Sequence, residues 1–398
     1  MKLLYSLDSF KPNIDGVAIS IERQARAMAE RGHEVAIVAP GRRFSNYEEE
    51  EGPLHVFRRR SLSLMLERWR IPILPDANEV LDQFHPDLLI GTLPFPLGWA
   101  LLLAARKHRV PTVGISETMP EWLMYNLSFL RPAASQVVPL MWRLIVSYYN
   151  RFDYIVGVTP TALRLLRDNG LTRPAQVISN GVELDLFQPR AYDRDLARQL
   201  GVPKKPIVLY TGRLDAEKCM DVWLRAATII GGELDAHFVV VGDGSERSRL
   251  ERQAEEMGLS GRITFTGFLE RDDYVRAFSL GHVFAIASPA ELQSLVTLEA
   301  AASGLPIVAV NAGALPELVD DGRNGFIFDV GSAAEMAAQT LRILRDPALQ
   351  AAMRRRSREV AERHDINRVF AKYEVLFTLV AQRGPLSLTD LFREPRSA

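Results

Sequence analysis

The sequence predicts an α/β protein with parallel sheets, laid out as two successive strand–helix arrays. Three observations carry this. Short apolar runs alternate with amphipathic helical patterns along almost the whole chain. The alternation restarts at about residue 206, after a charged stretch (Arg190 to Lys205) that holds only a weak helix, ARQLG, between prolines. Glycines recur where strands run into helices, the places where backbone turns sharply or approaches a ligand closely.

Length and composition set the bounds. A chain of 398 residues is long enough for roughly two or three domains. Its apolar fraction of 47% and charged fraction of 24% are those of an ordinary globular protein. A formal net charge of −1 gives no sign of nucleic-acid binding. The single cysteine, Cys219, excludes an internal disulfide and fits a reducing, cytoplasmic compartment. The apolar run in MKLLYSLDSFKP is too short for a signal peptide. The runs Leu97–Ala105 and Gln136–Tyr149 fall short of the ~18–20 apolar residues of a spanning helix, and Arg143 interrupts the second. Contact with a membrane is therefore expected to be peripheral, on its inner face.

In the first half, LLYSL reads as a strand, SFKPNIDGVAIS as a loop and SIERQARAMAERGH as an amphipathic helix. Gly16 precedes that helix, either as a plain turn residue or as a point of close ligand approach. GHEVAIVAP completes the unit, with His33 as a helix-end residue without chemistry. The next stretch, EEEEGPLHVFRRRSLSLMLERWRIPILP, sets Glu48–Glu51 before Arg58, Arg59, Arg60, Arg68 and Arg70, interleaved with Leu, Met and Trp69. It reads either as a solvated helix face over the core or as a basic amphipathic patch for anionic lipid. PDLLIGTLPFPLGWALLLAARKHRVPTVGIS is strand, loop, buried helix, strand, ending beside Glu117. From Trp122 to Tyr149 the chain is apolar and aromatic, including Trp142, Tyr148 and Tyr149. These residues suit either a core helix or a lipid–water boundary.

The second half turns on SPAELQSLVTLEAAASGLPIVAV, Ser288 to Val310. It reads as strand end, loop, helix, turn and strand, with the helix starting near Ser294. Leu295, Leu298 and Ala302 form its buried stripe, and Ser303-Gly304 stops it. First-turn amides such as those of Leu295 and Val296 lack intrahelical acceptors and suit a phosphate. Glu291 lies in the loop before the helix and Glu299 one turn into it. They are either solvated glutamates or two acceptors flanking one anion site, as gripping a sugar nucleotide would need. IVLYTGRLDAEKCMDVWLRAA places Gly212, Arg213 and Lys218 just after a strand, where two cations can neutralise a diphosphate.

The run E-LQSLVTL-E-AAASGLPIVA resembles the glutamate–seven residues–glutamate signature of retaining, nucleotide-sugar-dependent glycosyltransferases of family 4, followed by that family's LEAxAxGxPVVA. LDSFKPNIDGVAISI resembles its DxYxPxxNGVxxSI opening, GRLDAEKC its GRLxxEKG, VVVGDGSERSRLE its IVGDGPERxxLE, and GALPELVDDGRNGFIFDVG its GGxxEIVxDGxNGxLxxxGD. The resemblance is poor only between Glu48 and Arg151. It implies the GT-B arrangement: two Rossmann-like domains facing a cleft, with a C-terminal helix crossing back to the first domain. The expected domains are 1–190 for the acceptor and 191–365 for the nucleotide sugar, with a returning helix at 366–385 and a tail at 386–398.

The resemblance implies hexose transfer from a UDP- or GDP-sugar, as co-substrate rather than cofactor, with retention of configuration and no metal. Glu291, Arg213, Lys218 and Glu117 become the candidate catalytic residues. Gly16, Gly212, Gly242, Gly267, Phe268, Leu269, Ser294, Leu295, Val296 and Glu299 are the candidate donor-binding set. The chain departs from the family in several places. Glu117, in SETMPEW, stands where a histidine is usual, and is either a hydroxyl-binding or basic group or a surface acid. PDLLIGTLP lacks the histidines of PDVVHxHxP. Cys219 replaces a glycine, His282 an aspartate, and Ser294 the glycine of many members. The ELQSL form resembles the ETQxL variant of branches that glycosylate diacylglycerol (glucosyl or sulfoquinovosyl transfer) or phosphatidylinositol-type lipids. A membrane lipid is therefore the expected acceptor, against a soluble sugar or metabolite, or a catalytically silent sugar-nucleotide binder.

Overall fold

The computed structural model describes residues 1–11, 16–64, 69–73, 76–117, 119–121, 125 and 133–383. The chain forms two compact units. One comprises Met1–Pro120, Ala133–Ser179 and the chain from Arg368; the other centres on Asn180–Asn367. The change of unit at Ser179/Asn180 precedes the 190/191 boundary drawn from the charged stretch, because Asn180 onward is tied into the second unit. The Asn180 amide donates to Gln293 Oε1 at 2.6 Å, and the Val182 amide to His364 O at 2.8 Å. The expected tail at 386–398 lies outside the described residues.

The first unit is built on strands β1 (Lys2–Ser6), β2 (Glu34–Pro40), β3 (Tyr47–Glu51) and β4 (Leu54–Arg59). A separate antiparallel pair follows, β5 (Ser61–Leu64) and β6 (Trp69–Pro72). Then come β7 (Leu88–Gly91), β8 (Thr112–Ser116), β9 (Tyr154–Gly157) and β10 (Ala175–Val177). The main sheet runs β10-β9-β8-β7-β1-β2-β4-β3, parallel except for β3. Its central strands are buried on both faces, as unbroken apolar runs such as EVAIVAP require. The helix Ile366–Arg383 packs here: the Tyr373 hydroxyl donates to Ile178 O at 3.3 Å, and Phe377 meets Tyr5 edge-on.

In this unit one expectation fails and one open alternative is decided for the core. Glu48–Glu51 and Arg58–Arg60 form no amphipathic helix. They lie on and just beyond the antiparallel β3–β4 pair, where Arg58 stands opposite Tyr47 and Glu50 opposite His55, and the arginines find their acids off the register. Arg58 is buried and donates to Glu49 Oε1 at 2.7 Å; Arg59 is equally buried and lies 3.3 Å from Glu79 Oε2. Neither is available to lipid, and Arg68 lies outside the described residues. In the helix Ala134–Tyr149, Trp142, Tyr148 and Tyr149 are buried rather than at an interface. The Tyr149 hydroxyl donates inward, to the carbonyls of Thr92 and Ile115. Trp122 is likewise outside the described residues. His33 has a partner after all: its Nε2 lies 3.1 Å from Glu374 Oε1.

The second unit holds β11 (Ile207–Thr211), β12 (His237–Val241), β13 (Ile263–Gly267), β14 (Val283–Ile286), β15 (Ile307–Val310) and β16 (Gly325–Phe328). All pairs are parallel, in the order β13-β12-β11-β14-β15-β16. Successive strands step one way from β11 to β13, and β14 then starts on the other side of β11. This doubly wound order leaves a crevice at the carboxyl ends of β11 and β14, where open α/β sheets take ligands. Trp223 fills the core below, its indole N–H donating to Ala285 O at 3.1 Å.

Candidate active site at the strand-order reversal

Three glycines shape the carboxyl edge of the second sheet. Gly212, Gly242 and Gly267 follow or end β11, β12 and β13 with φ of +138°, +134° and +71°. The Gly242 amide donates to Gly267 O at 2.9 Å and the Gly212 amide to Val241 O at 3.0 Å. A Cβ on Gly242 would collide with the Gly212 backbone. Side chains larger than hydrogen are thus excluded where the loops come together.

From Gly212 the chain turns through Arg213-Leu214-Asp215-Ala216-Glu217-Lys218. The Arg213 guanidinium is forked between two acids, Nη1 at 2.8 Å from Asp215 Oδ2 and Nη2 at 3.0 Å from Glu217 Oε1. Both acids are buried while the arginine keeps an exposed face. Ser245 Oγ donates to Asp215 Oδ1 at 2.8 Å. Lys218 reaches across the crevice to Glu291, in the loop after β14, with Nζ 2.7 Å from Oε1. Beneath them the Tyr210 phenol is pushed well above its ordinary pKa, first by burial and then by the charges of Glu291, Glu217 and Asp215, with Arg213 opposing. Its hydroxyl donates to Arg213 O at 2.9 Å.

The loop carrying Glu291 is held from behind. The Ala314 amide donates to Glu291 O at 2.8 Å, and Gly313, at φ +56°, packs against the Glu291 backbone where a Cβ has no room. Ser294 caps the helix Leu295–Ala302, accepting from the Thr297 amide at 3.3 Å. The amides of Leu295 and Val296 precede that bond. The helix is buried nearly all round, so the expected stripe of Leu295, Leu298 and Ala302 is too narrow; Leu295 itself is only half-buried. Glu299 is buried too, and accepts from the Tyr274 hydroxyl at 2.6 Å. Phe268 is exposed beyond Gly267, and Leu269 is half-buried.

Arg213, Lys218 and Glu291 therefore converge, with Gly212, Gly242, Gly267 and the Ser294 cap around them. Glu299 sits deeper in the helix. Gly16 and Glu117 belong to the first unit. Gly16 opens the helix Gly16–Glu30, where an added Cβ would meet none of the described residues within 4 Å, and Glu117 follows β8, Oε1 accepting from Ser20 Oγ at 3.2 Å. The sequence reading overlooked Asp215 and Glu217, the anchors of Arg213. Their signal lay within GRLDAEK itself, as two acids at i+2 and i+4 from the arginine. Among the described residues, no group of three or more His, Cys, Asp or Glu side chains is arranged to hold a metal ion.

Two doubly wound units, one carrying cations and a helix start at its switch point, make an α/β architecture suited to holding an anion at the strand-order reversal. Residues 14–186 match the family model described as Glycosyltransferase Family 4, and residues 193–360 the model described as Glycosyl transferases group 1. Between them these span most of the chain, and the protein belongs to this glycosyltransferase family, with its two Rossmann-like domains. It is 27% identical over 342 residues to a GDP-mannose-dependent alpha-mannosyltransferase of Corynebacterium glutamicum, covering 83% of this chain and 77% of that one. It is 24% identical over 337 residues to an alpha-monoglucosyldiacylglycerol synthase of Streptococcus pneumoniae, covering 82% and 75%. In fold it is similar to HepE of Anabaena in complex with UDP-glucose, with a TM-score of 0.75 at 23% identity over 95% of this chain and 100% of that one.

Proposed function

We propose that the protein transfers a hexose from a UDP- or GDP-sugar to a hydroxyl of a membrane lipid, with retention of configuration and without a metal. The observation that carries the donor half is the Lys218–Glu291 pair at the strand-order reversal, beside an arginine fixed by two buried acids. A diphosphate entering there meets Arg213, Lys218 and the amides of Leu295 and Val296, and the negative charge that develops on it as the glycosidic bond breaks is met by charges already in place. Taking Lys218 to the phosphate frees Glu291 to accept from a hexose hydroxyl. The names of the mannosyltransferase relative and of the UDP-glucose complex support a nucleotide-sugar donor.

The lipid half draws support from the outward side of two apolar segments, not from the aromatic residues the sequence offered for it. The helices Pro96–Lys107 and Ala134–Tyr149 contain no acidic residue. They pack on each other through Leu102, Trp142 and Ile145, with Trp99 and Tyr148 edge-on at 5.2 Å. Leu103, Leu140 and Leu144 stay more than half exposed, beside exposed Arg106, Lys107 and Arg143. An acid-free face of leucine and arginine suits anionic lipid. The diacylglycerol in the name of the pneumococcal relative points the same way.

A thermal-shift panel of UDP- and GDP-sugars tests the donor reading, because a ligand that binds only the native state raises its stability. The donor that shifts the transition is then supplied with diacylglycerol or phosphatidylinositol vesicles. Glycolipid product with the anomeric configuration of the donor supports the reading. Nucleotide release that is indifferent to vesicles overturns the lipid half, and a panel without any shift overturns the donor half.

A further inference from the structure

The first sheet has its own reversal point, between β1 and β7, and an unspent carboxyl group sits there. β1 runs through Leu7 into Asp8, whose two carboxyl oxygens are both buried and find no hydrogen-bond partner among the described residues. The Leu97 amide, at the start of the helix Pro96–Lys107, is close enough to favour the ionised form without completing a bond. Burial outweighs it and pushes the Asp8 carboxyl up to about 8. The Asp8 charge also acts on the Tyr148 phenol, fully buried and likewise without a partner for its oxygen. That oxygen lies where Gly98 in the helix's first turn and Gly91 at the end of β7 leave room. A Cβ would come within 2.7 Å of it at Gly98 and 2.9 Å at Gly91.

Three kinds of group therefore gather at one switch point: a carboxyl, a phenol and the amides of a twelve-residue helix start. Leaving the carboxyl and the phenol buried and unpaired costs folding free energy. A fold that keeps them invites a ligand that pairs them. The chemistry of the set selects that ligand. A carboxyl and a phenol each accept and donate, and the amides donate. A hydroxyl, which does both, satisfies all three. An anion would be opposed by Asp8 whenever it ionised, and a hydrocarbon chain would leave every group unmet.

Resting on the glycosyltransferase reading, we propose that Asp8, with Tyr148 and the first-turn amides of the helix Pro96–Lys107, binds a hydroxyl of the acceptor's polar part, a polyol or sugar. Asp8 is then a binding and specificity residue for the acceptor, in the unit that does not carry the cationic site.

Saturation-transfer NMR on the full chain tests this, with myo-inositol, methyl α-mannoside and inorganic phosphate as probes against the wild type, Asp8→Asn and Asp8→Ala. Polyol signal from the wild type, weakened about tenfold in Asp8→Ala for the loss of one hydrogen-bonding partner, is the expected result. The shift in melting temperature with UDP or GDP should be the same in all three proteins, which separates this test from the donor reading. Asp8→Asn keeps the shape and removes the titration. It should fold at least as stably as the wild type, guarding against a merely unfolded alanine variant. Equal polyol binding by the wild type and both variants overturns the proposal, as does a wild type that binds phosphate but neither polyol.

Discussion

Lys218 Nζ lies 2.7 Å from Glu291 Oε1, and the two residues come from loops on opposite sides of the strand-order reversal between β11 and β14. The side chains are largely buried, so neither charge is well solvated on its own. Removing one partner strands the other. Lys218→Ala should lower kcat/KM about 10²–10³-fold, the usual size for losing a preorganised charge at a leaving group, and should also lower the melting temperature without ligand. Glu291→Gln should reduce turnover while leaving nucleoside diphosphate binding intact, since its part is with the sugar. A double-mutant cycle on free-enzyme stability should show coupling of about 0.5–3 kcal/mol. Additive effects would mean that the contact is not energetically real.

Arg213 gives a prediction of another kind, because its fork is held by Asp215 and Glu217 at 2.8 and 3.0 Å. Arg213→Lys keeps the charge and loses the fork. A lysine cannot satisfy two buried acids and a phosphate at once. We expect KM for the donor to rise and stability to drop together. A variant as stable as the wild type would show that Asp215 and Glu217 do not depend on the guanidinium.

Cys219 stands at φ +49°, a left-handed conformation that costs most L-residues roughly 1–2 kcal/mol. It ends the short turn Ala216–Lys218 and starts the helix Met220–Glu233. Cys219→Gly should stabilise the protein by about 1 kcal/mol, net of the chain entropy that glycine adds to the unfolded state. Urea denaturation measures this. A loss of stability would mean that the half-buried thiol packs more tightly than its backbone is strained.

How far the sequence could be read follows from which interactions are local. The helix start near Ser294, the glycines at strand ends and the alternation of strands and helices are written within a few residues, and they stand in the structure as expected. The burial of Glu217 and Asp215 is not local. Two acids in a loop look solvated until β12 and β14 place Ser245 and Ser288 over them, Ser288 Oγ reaching Glu217 O at 3.2 Å. Arg58 and Arg59 mislead for the same reason, since their counter-charges come from β3 and from Glu79 on a later helix. Tyr148 and Tyr149 look alike at a lipid boundary and in a core. Only the carbonyls of Thr92 and Ile115, far off in sequence, decide for Tyr149.

Leu140 and Leu144 lie one turn apart on the same exposed face, with Arg143 between them. If that face rests on lipid, Leu140→Asp with Leu144→Asp should abolish sedimentation with anionic vesicles at low salt, with little change in melting temperature, because neither residue packs in the core. Arg143→Ala alone should weaken sedimentation and reduce its dependence on salt. Unchanged sedimentation of the double variant would falsify the assignment of this face.

His237 begins β12, is buried, and has Nε2 2.9 Å from Thr264 Oγ1. Burial, helped by the Lys205 charge, lowers its pKa from 6.5 to about 4. The unfolded chain therefore binds a proton near pH 6.5 that the native state refuses until about pH 4. Between those values the unfolded state holds more protons, so stability falls as pH falls, by up to an order of 3 kcal/mol from this residue alone. Asp193, lowered to about 2 first by its hydrogen bond from Arg276, adds its own loss at more acid pH. Asp8, raised to about 8, acts oppositely and makes the fold less stable as pH rises from about 4 towards 8. The two slopes overlap, so the readout is the difference between wild type and His237→Gln, which keeps a hydrogen-bonding group near Thr264 but cannot titrate. That difference should be flat above pH 7 and should favour the variant increasingly from pH 6.5 down to 4. Parallel curves across this range would show that the imidazole takes up its proton as readily in the fold as out of it.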